Sequence, residues 1–177
     1  IDTPSLLGVI LLSVRQGDPC LDLLMRETLP FSVIGRPETA SSVAWVDNDN
    51  FHAMYDVVNR LIEHGARRLG FLGGPADLNV TRDRLEGYRM AIANRGFEAG
   101  ADLVQYTPRF TRSAGYEGAR QLFAREEPDA LVATDDFLAL GALDFLRDSG
   151  MRVPCVGFNN SSEGRRSDPA LSSVDIN

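Results

Sequence analysis

No lysine occurs among the 177 residues, and all 18 basic side chains are arginines. That excludes a lysine Schiff base and the lysine-dependent Walker-type phosphate loop. The bland origin, a GC-rich codon bias, accounts for it without special chemistry. Cysteine is nearly as scarce. Cys20 and Cys155 lie far apart with no CxxC spacing, so the expectation is two free, buried thiols in a reducing cytosol. The two histidines, His52 and His64, have no metal-ligand cluster around them, and neither metal nor cofactor is expected. The longest apolar stretches, such as Val9-Ile10-Leu11-Leu12, are strand-length, well short of the ~20 residues a membrane helix needs. Ile1-Asp2-Thr3-Pro4 has no basic segment or cleavage site, so no export signal is expected there. The first residue is not Met, and the true N-terminus is expected upstream. Enzyme signatures are missing as well: there is no G-x-S-x-G elbow and no HExxH. Glu126-Glu127 precedes Pro128 at a helix end and reads as a solvated pair rather than an acid–base site.

Excess positive charge is also lacking. The net charge is −7, and an acidic surface repels phosphate, so this piece is not expected to bind nucleic acid by itself. What is present is ordinary for a globular chain: 44% apolar and 24% charged residues. The length suits one domain or two small lobes, burying roughly 70% of the unfolded surface.

The pattern along the chain is strand then helix, repeated. Strand runs are read at Gly8–Ser13, Phe31–Ile34, Val43–Val46, Leu69–Leu72, Leu103–Tyr106, Ala130–Ala133 and Cys155–Phe158. Helices are read at 51–64, with Phe51, Tyr55, Val58 and Ile62 as the buried stripe, and at 81–95, with Leu85, Tyr88 and Ile92 inward. Two more are read after a Ser113 cap and after an Asp135 or Asp136 cap. Strands separated by helices pair in parallel through right-handed crossovers. The fold class expected is α/β, doubly wound.

In such sheets ligands bind beyond the carboxyl ends of the strands. Those ends carry Ser13, Gly35-Arg36, Asp47-Asn48-Asp49-Asn50, Gly73-Gly74, Thr107, Thr134-Asp135-Asp136 and Asn159-Asn160. Carboxylates, amides and a guanidinium together suit a neutral polyhydroxyl ligand, whose hydroxyls both donate and accept. Each element also has a bland reading. Asp135 and Asp136 can simply cap a helix. Gly73-Gly74-Pro75 reads as a turn more than a phosphate cradle. Of Arg82 and Arg84, two apart on a helix, at most one can face a crevice. Phe110, in Pro108-Arg109-Phe110-Thr111, is either a lid on the core or a platform for a sugar ring.

Several motifs then occur in order: VDNDN leading into NRLIEHGARRLGFLGGP, RLEGY, PDALVATDDFLALGAL, VGFNNS and DPALSSVDIN. Together they resemble the effector-binding domain of the lac-repressor/galactose-repressor family of bacterial transcription regulators. The resemblance implies a periplasmic-binding-protein-like fold of two α/β lobes with ligand between them. Residues 1–48 would be a partial N-terminal lobe, and 49–177 a C-terminal lobe ending at an interlobe crossover. The rest of lobe one and the DNA-binding headpiece would lie outside this sequence. By the same resemblance, Arg84 matches the effector arginine, Phe110 the stacking aromatic, Thr134 and Asp135 an Asn-Asp pair, and Asn159 a position often Asp. Ser13, Gly35 and Arg36 fall on ligand-facing strand ends, and Asp49 and Asn50 on the first crossover. Asn159 in place of a carboxylate hints at an effector other than simple galactosides, leaning toward maltose- or oligosaccharide-responsive members.

The implied function is a cytoplasmic, homodimeric, non-enzymatic regulator. Its partners would be a small-molecule effector, a mono- or oligosaccharide, and operator DNA through the missing headpiece, with no membrane partner. The alternative is an extracytoplasmic sugar-binding protein of a transporter, which shares the fold and the crevice.

Overall fold

In the computed structural model, which describes residues 6–38, 43–97 and 100–176, eight short strands form two parallel sheets. The first is three-stranded, in the order β1 (Val9–Leu12), β2 (Phe31–Ile34) and β3 (Trp45–Val46). One short helix, α1 (Pro19–Leu24), covers one face of it through Leu21 and Leu24, with Val14 and Val33 buried nearby.

The chain then crosses to the second sheet. Helix α2 (Asn50–Glu63) leads to β4 (Leu69–Gly73), α3 (Asn79–Asn94), β5 (Val104–Tyr106), α4 (Arg112–Phe123), β6 (Ala130–Ala133), α5 (Asp136–Asp148), β7 (Cys155–Phe158), α6 (Ser162–Arg166) and β8 (Ser172–Val174). The spatial order is β5-β4-β6-β7-β8. Every residue of β4 and β6 is buried, as a parallel sheet covered on both faces requires. One face packs Phe71 and Val132 against Met54, Val58, Leu85 and Tyr88 of α2 and α3. The other packs Leu72, Leu131 and Ala133 against α4 and α5. Burying a side chain such as Phe71 or Leu72 stabilises by about 1.5–3 kcal/mol.

Two glycines let the helix pairs approach. A Cβ at Gly87 would stand 2.2 Å from the Phe51 carbonyl oxygen, and one at Gly141 2.0 Å from the Arg112 carbonyl oxygen.

The α/β class and its parallel pairing match the sequence reading, with differences in detail. The buried stripe of α2 is Asn50, Met54, Val58 and Ile62, while Phe51 and Tyr55 are only half-buried. Helix α3 starts two residues earlier than its pattern indicates, at Asn79. Helix α4 is capped by Thr111, whose side chain accepts from Ala114 N, and not by Ser113. Cys155 is buried but Cys20 is exposed, because Cys20 opens α1 on its solvent side. Helices α1 and α6 and strand β8 were not read from the sequence, since five or six residues, or three, carry too little periodicity. Residues 1–5 and 177, the ends of the two lobes inferred from resemblance, lie outside the described residues.

Candidate functional site

Both sheets turn their strand ends toward one region. Ser13 and Gly35 follow β1 and β2, and both adopt positive φ, 57° and 110°. Ser13, Gly35, Asp47, Asn50, Asn79 and Arg84 line a cavity of about 190 Å³ between the N-terminal strands and the start of α3.

Arg84 organises it. The side chain is 4% exposed. Its Nε and Nη2 donate to Asn50 Oδ1 at 3.0 and 2.8 Å, and Nη1 donates to the Thr134 carbonyl at 2.5 Å. The guanidinium lies over the Phe158 ring, 4.1 Å from its centroid. Burial lowers its pKa to about 10, opposed by the charges of Asp135, Asp47 and Asp136, so it stays cationic at neutral pH. Among the described residues no carboxylate pairs with it directly. A guanidinium has five N–H donors, and these bonds engage three. A buried cation that lines a cavity with two donors unengaged is equipped to grip ligand oxygens.

The remaining candidates fall at graded distances from this centre. Asp135 caps α5 by accepting from Phe137 N at 2.7 Å, and its other oxygen accepts from Asn159 Nδ2 at 2.8 Å. Capping and site roles therefore coexist in one carboxylate. Burial raises its pKa, against the lowering effect of the cap hydrogen bond. Asn159 and Asn160 take positive φ, 96° and 46°, and Asn159 N donates to the Val174 carbonyl. Thr134 is buried, and its hydroxyl accepts from Gly74 N at 3.0 Å. It serves the site through its carbonyl to Arg84, with its hydroxyl already engaged. That bond also makes Gly73-Gly74 a pinned turn.

Phe110 packs closely against this turn: a Cβ at Gly74 would stand 2.1 Å from its ring. The ring packs on the core of the second sheet while remaining half-buried, which combines the lid on the core with a partly accessible aromatic. Arg36 is exposed. Its backbone N–H donates to Asp47 Oδ2 at 2.9 Å, and its guanidinium sits 5.9 Å from the Trp45 ring centroid. Asp49 is not brought to Arg84. It caps α2, accepting from His52 N at 3.0 Å, and pairs with His52 Nδ1 at 2.8 Å. These bonds to His52 hold its carboxyl below the ordinary value. With Arg36, Trp45 and Asp83 it lines a neighbouring hollow. Arg82 faces solvent, as the two-residue spacing from Arg84 requires.

Two residues here give no site signal in the sequence, and a third, Asp136, is legible there only as a strand-end or capping residue. Phe158 reads as plain strand core. Asn79 sits before the apparent helix start. Asp136 is 1% exposed and accepts from Ser161 N and Ser173 Oγ, both at 2.6 Å, tying α5 to the cap of α6 and to β8. The doublet Asp135-Asp136 was the available signal: one residue caps and the next points inward. A larger cavity, about 960 Å³, lies between α4, α5 and the α6 loop, away from the converging strand ends.

Residues 58–177 match the family described as periplasmic binding protein-like domain. The chain belongs to that family. Within it, this is an effector-binding domain of the LacI type. The HTH-type transcriptional regulator CelR of Thermobifida fusca is 37% identical over 174 residues, covering 94% of this chain and 51% of that protein. The structure of a transcriptional regulator CelR–cellobiose complex matches with TM-score 0.89 at 36% identity, over 96% of this chain and 54% of the other. A LacI transcriptional regulator from Bacillus cereus subsp. cytotoxis NVH 391-98 matches with TM-score 0.92 at 35% identity, over 96% and 62%. The chain thus spans about half the length of the CelR it matches. Among the described residues of this LacI-type domain, no helix is long and apolar enough to cross a membrane, and no group of three or more acidic, Cys or His residues could hold a metal ion.

Proposed function

We propose that this domain binds a small polyhydroxyl effector, a glucose disaccharide of the cellobiose kind, between its two lobes. The observation that carries the reading is Arg84: buried, cationic, held by Asn50 and Thr134, with N–H groups left over beside a cavity. Asp135 with Asn159, Ser13 and Arg36 would supply further donors and acceptors, and the half-buried ring of Phe110 would stack on a sugar ring. Asp49 would contribute by fixing the crossover. The cellobiose bound by the structurally similar regulator supports the ligand class.

The whole protein would be a transcription regulator acting in the cytoplasm as a homodimer, without turnover of its ligand. Effector binding would favour one lobe arrangement, and a helix-turn-helix outside this sequence would read it as altered operator affinity. The division at 48/49 into a partial N-terminal lobe and a C-terminal lobe has support in the sheet surfaces. Leu12, Ile34 and Val46 stand in one register across the first sheet and are 59%, 46% and 64% exposed. A parallel sheet normally has both faces covered, so further chain belongs over this one.

The test is isothermal calorimetry with cellobiose, maltose and galactose, followed by operator binding with and without the sugar that binds. Saturable binding of a disaccharide that changes operator affinity is expected. If none of the three sugars binds, the ligand class is wrong; if binding leaves operator affinity unchanged, the switch is wrong.

A further inference from the structure

Away from the covalent crossover at 47–49, the described residues of the two lobes meet in a patch whose members, Arg36 and cavity-lining residues such as Asn79 apart, lie outside the candidate site. Residues 14–16 and 36–38 of the N-terminal lobe meet residues 77–82 at the start of α3. Arg15 and Leu78 form an antiparallel bridge. Gln16 N donates to the Asp77 carbonyl at 3.0 Å, and Asn79 N donates to the Val14 carbonyl at 3.3 Å. Arg15 pairs with Asp77. Arg82 Nη1 and Gln16 Nε2 both donate to Glu38 Oε1, at 3.0 and 2.9 Å.

Asn79 stands at the centre. It is 6% exposed, and its Nδ2 donates to the Arg36 carbonyl at 2.8 Å. That bond fixes the amide's orientation, since the flipped form would set oxygen against oxygen. Its Oδ1 is left buried with no partner, and so is the hydroxyl oxygen of Thr81 two residues on. Such orphans are rare, and each calls for an explanation. Here the lobe contact is held by ion pairs and hydrogen bonds and opposed by the stranded Asn79 amide oxygen. An arrangement balanced in this way is easily shifted.

We infer that Asn79, at the wall of the effector cavity, is a positioning residue: with the Arg15–Asp77 and Arg82–Glu38 pairs it latches the N-terminal lobe onto α3 and thereby sets effector affinity by holding the two sides of the site together. Its N-terminal-lobe partners, Val14 and Arg36, adjoin Ser13 and include Arg36 itself, and α3 carries Arg84. One amide therefore fixes the spacing between the two halves of the site. The inference rests on the effector reading above, but the latch can be measured without any sugar.

The experiment uses the full-length regulator with Cys20→Ser, labelled with nitroxides at Leu23→Cys on α1 and Met90→Cys on α3, both exposed positions. Pulsed electron-spin distances are recorded without ligand, and cellobiose affinity by calorimetry. Wild type should give one short, narrow distance population. Asn79→Asp, which sets a carboxylate against the Arg36 carbonyl, should lose it and weaken cellobiose binding. Arg15→Asp or Asp77→Arg alone should lose it, and the two together should restore it. Without any substitution, raising salt from ~0.01 M to ~1 M shortens the Debye length from ~30 to ~3 Å and should loosen the pairs, which are about half exposed. An unchanged distance population in Asn79→Asp and in wild type at high salt overturns the latch, as does full cellobiose affinity in a variant whose lobes have parted. Distances that respond as expected in a protein indifferent to cellobiose support the latch and overturn only the effector reading.

Discussion

The Arg84 guanidinium carbon lies 4.1 Å from the centroid of the Phe158 ring, so the cation rests on an aromatic face while its edge bonds to Asn50 and Thr134. Stacking and forked hydrogen bonding together need a planar guanidinium. Arg84→Lys should keep the charge yet lose the fork, lowering effector affinity by at least ~10-fold, or ~1.4 kcal/mol. Arg84→Ala would also strand the Asn50 amide oxygen and the Thr134 carbonyl, at about 1–3 kcal/mol each. Calorimetry with the binding sugar and thermal unfolding of both variants check the two effects separately.

Gly74 and Phe110 form a second dependent pair. Gly74→Ala should push the ring off the turn and weaken sugar binding much as Phe110→Ala does, with little added loss in the double variant. Full additivity in a double-mutant cycle would show that the ring and the turn act independently.

The acid response of two carboxylates should differ in sign. Arg112, and then Arg147, hold the Asp144 carboxyl below its ordinary 3.8. The unfolded chain takes up this proton first, so the stabilisation is complete above 3.8 and fades as pH falls through the lower folded value. Asp144→Asn should therefore lower the Tm at neutral pH, and the gap from wild type should close below pH 3.8. Asp135 is raised by burial, so its charge opposes folding above 3.8 and protonation relieves that as pH falls through the folded value. Asp135→Asn, which keeps a capping side chain, should cost little at pH 7. Unfolding midpoints measured from pH 7 to pH 3 decide both.

Gly141 lets α5 rest on the backbone of α4. Gly141→Ala puts a methyl 2.0 Å from the Arg112 carbonyl oxygen, so the helices must part, at about 1–3 kcal/mol or more. Chemical denaturation should show a lower midpoint, with a smaller loss for Gly150→Ala at the exposed end of α5.

Much of the fold was legible because strands of a covered parallel sheet are short apolar runs and their helices end at Gly65, Gly96 and Gly150. Each of these takes positive φ, the conformation glycine adopts most readily. Phe31–Ile34, Ala130–Ala133 and Cys155–Phe158 are strands over the residues expected. Position along the sheet pointed to the strand ends where Ser13, Asp135 and Asn159 sit, and the motif resemblance pointed to Arg84 and Phe110. What lay beyond a single sequence was partnership. That Thr134 faces Gly74, that Asp49 turns to His52, and that Asn79 bonds to Val14 and Arg36 are three-dimensional facts with no local periodicity. Asp135 and Asp136 show the limit well: adjacent identical residues, one capping at the site edge and one buried as a tie between loops.

The order β5-β4-β6-β7-β8 also bears on how the chain is made. Leu69 of β4 pairs with Ala130 of β6, which leaves the ribosome much later. At ~5–20 residues per second the wait is roughly 3–12 s, long compared with the microseconds in which a hairpin forms. During that interval β4 has at most β5 beside it, and its other, apolar edge is unpaired. Nascent-chain chaperones should therefore engage this protein while residues 69–130 emerge, and a slow codon tract placed there should lower its soluble yield.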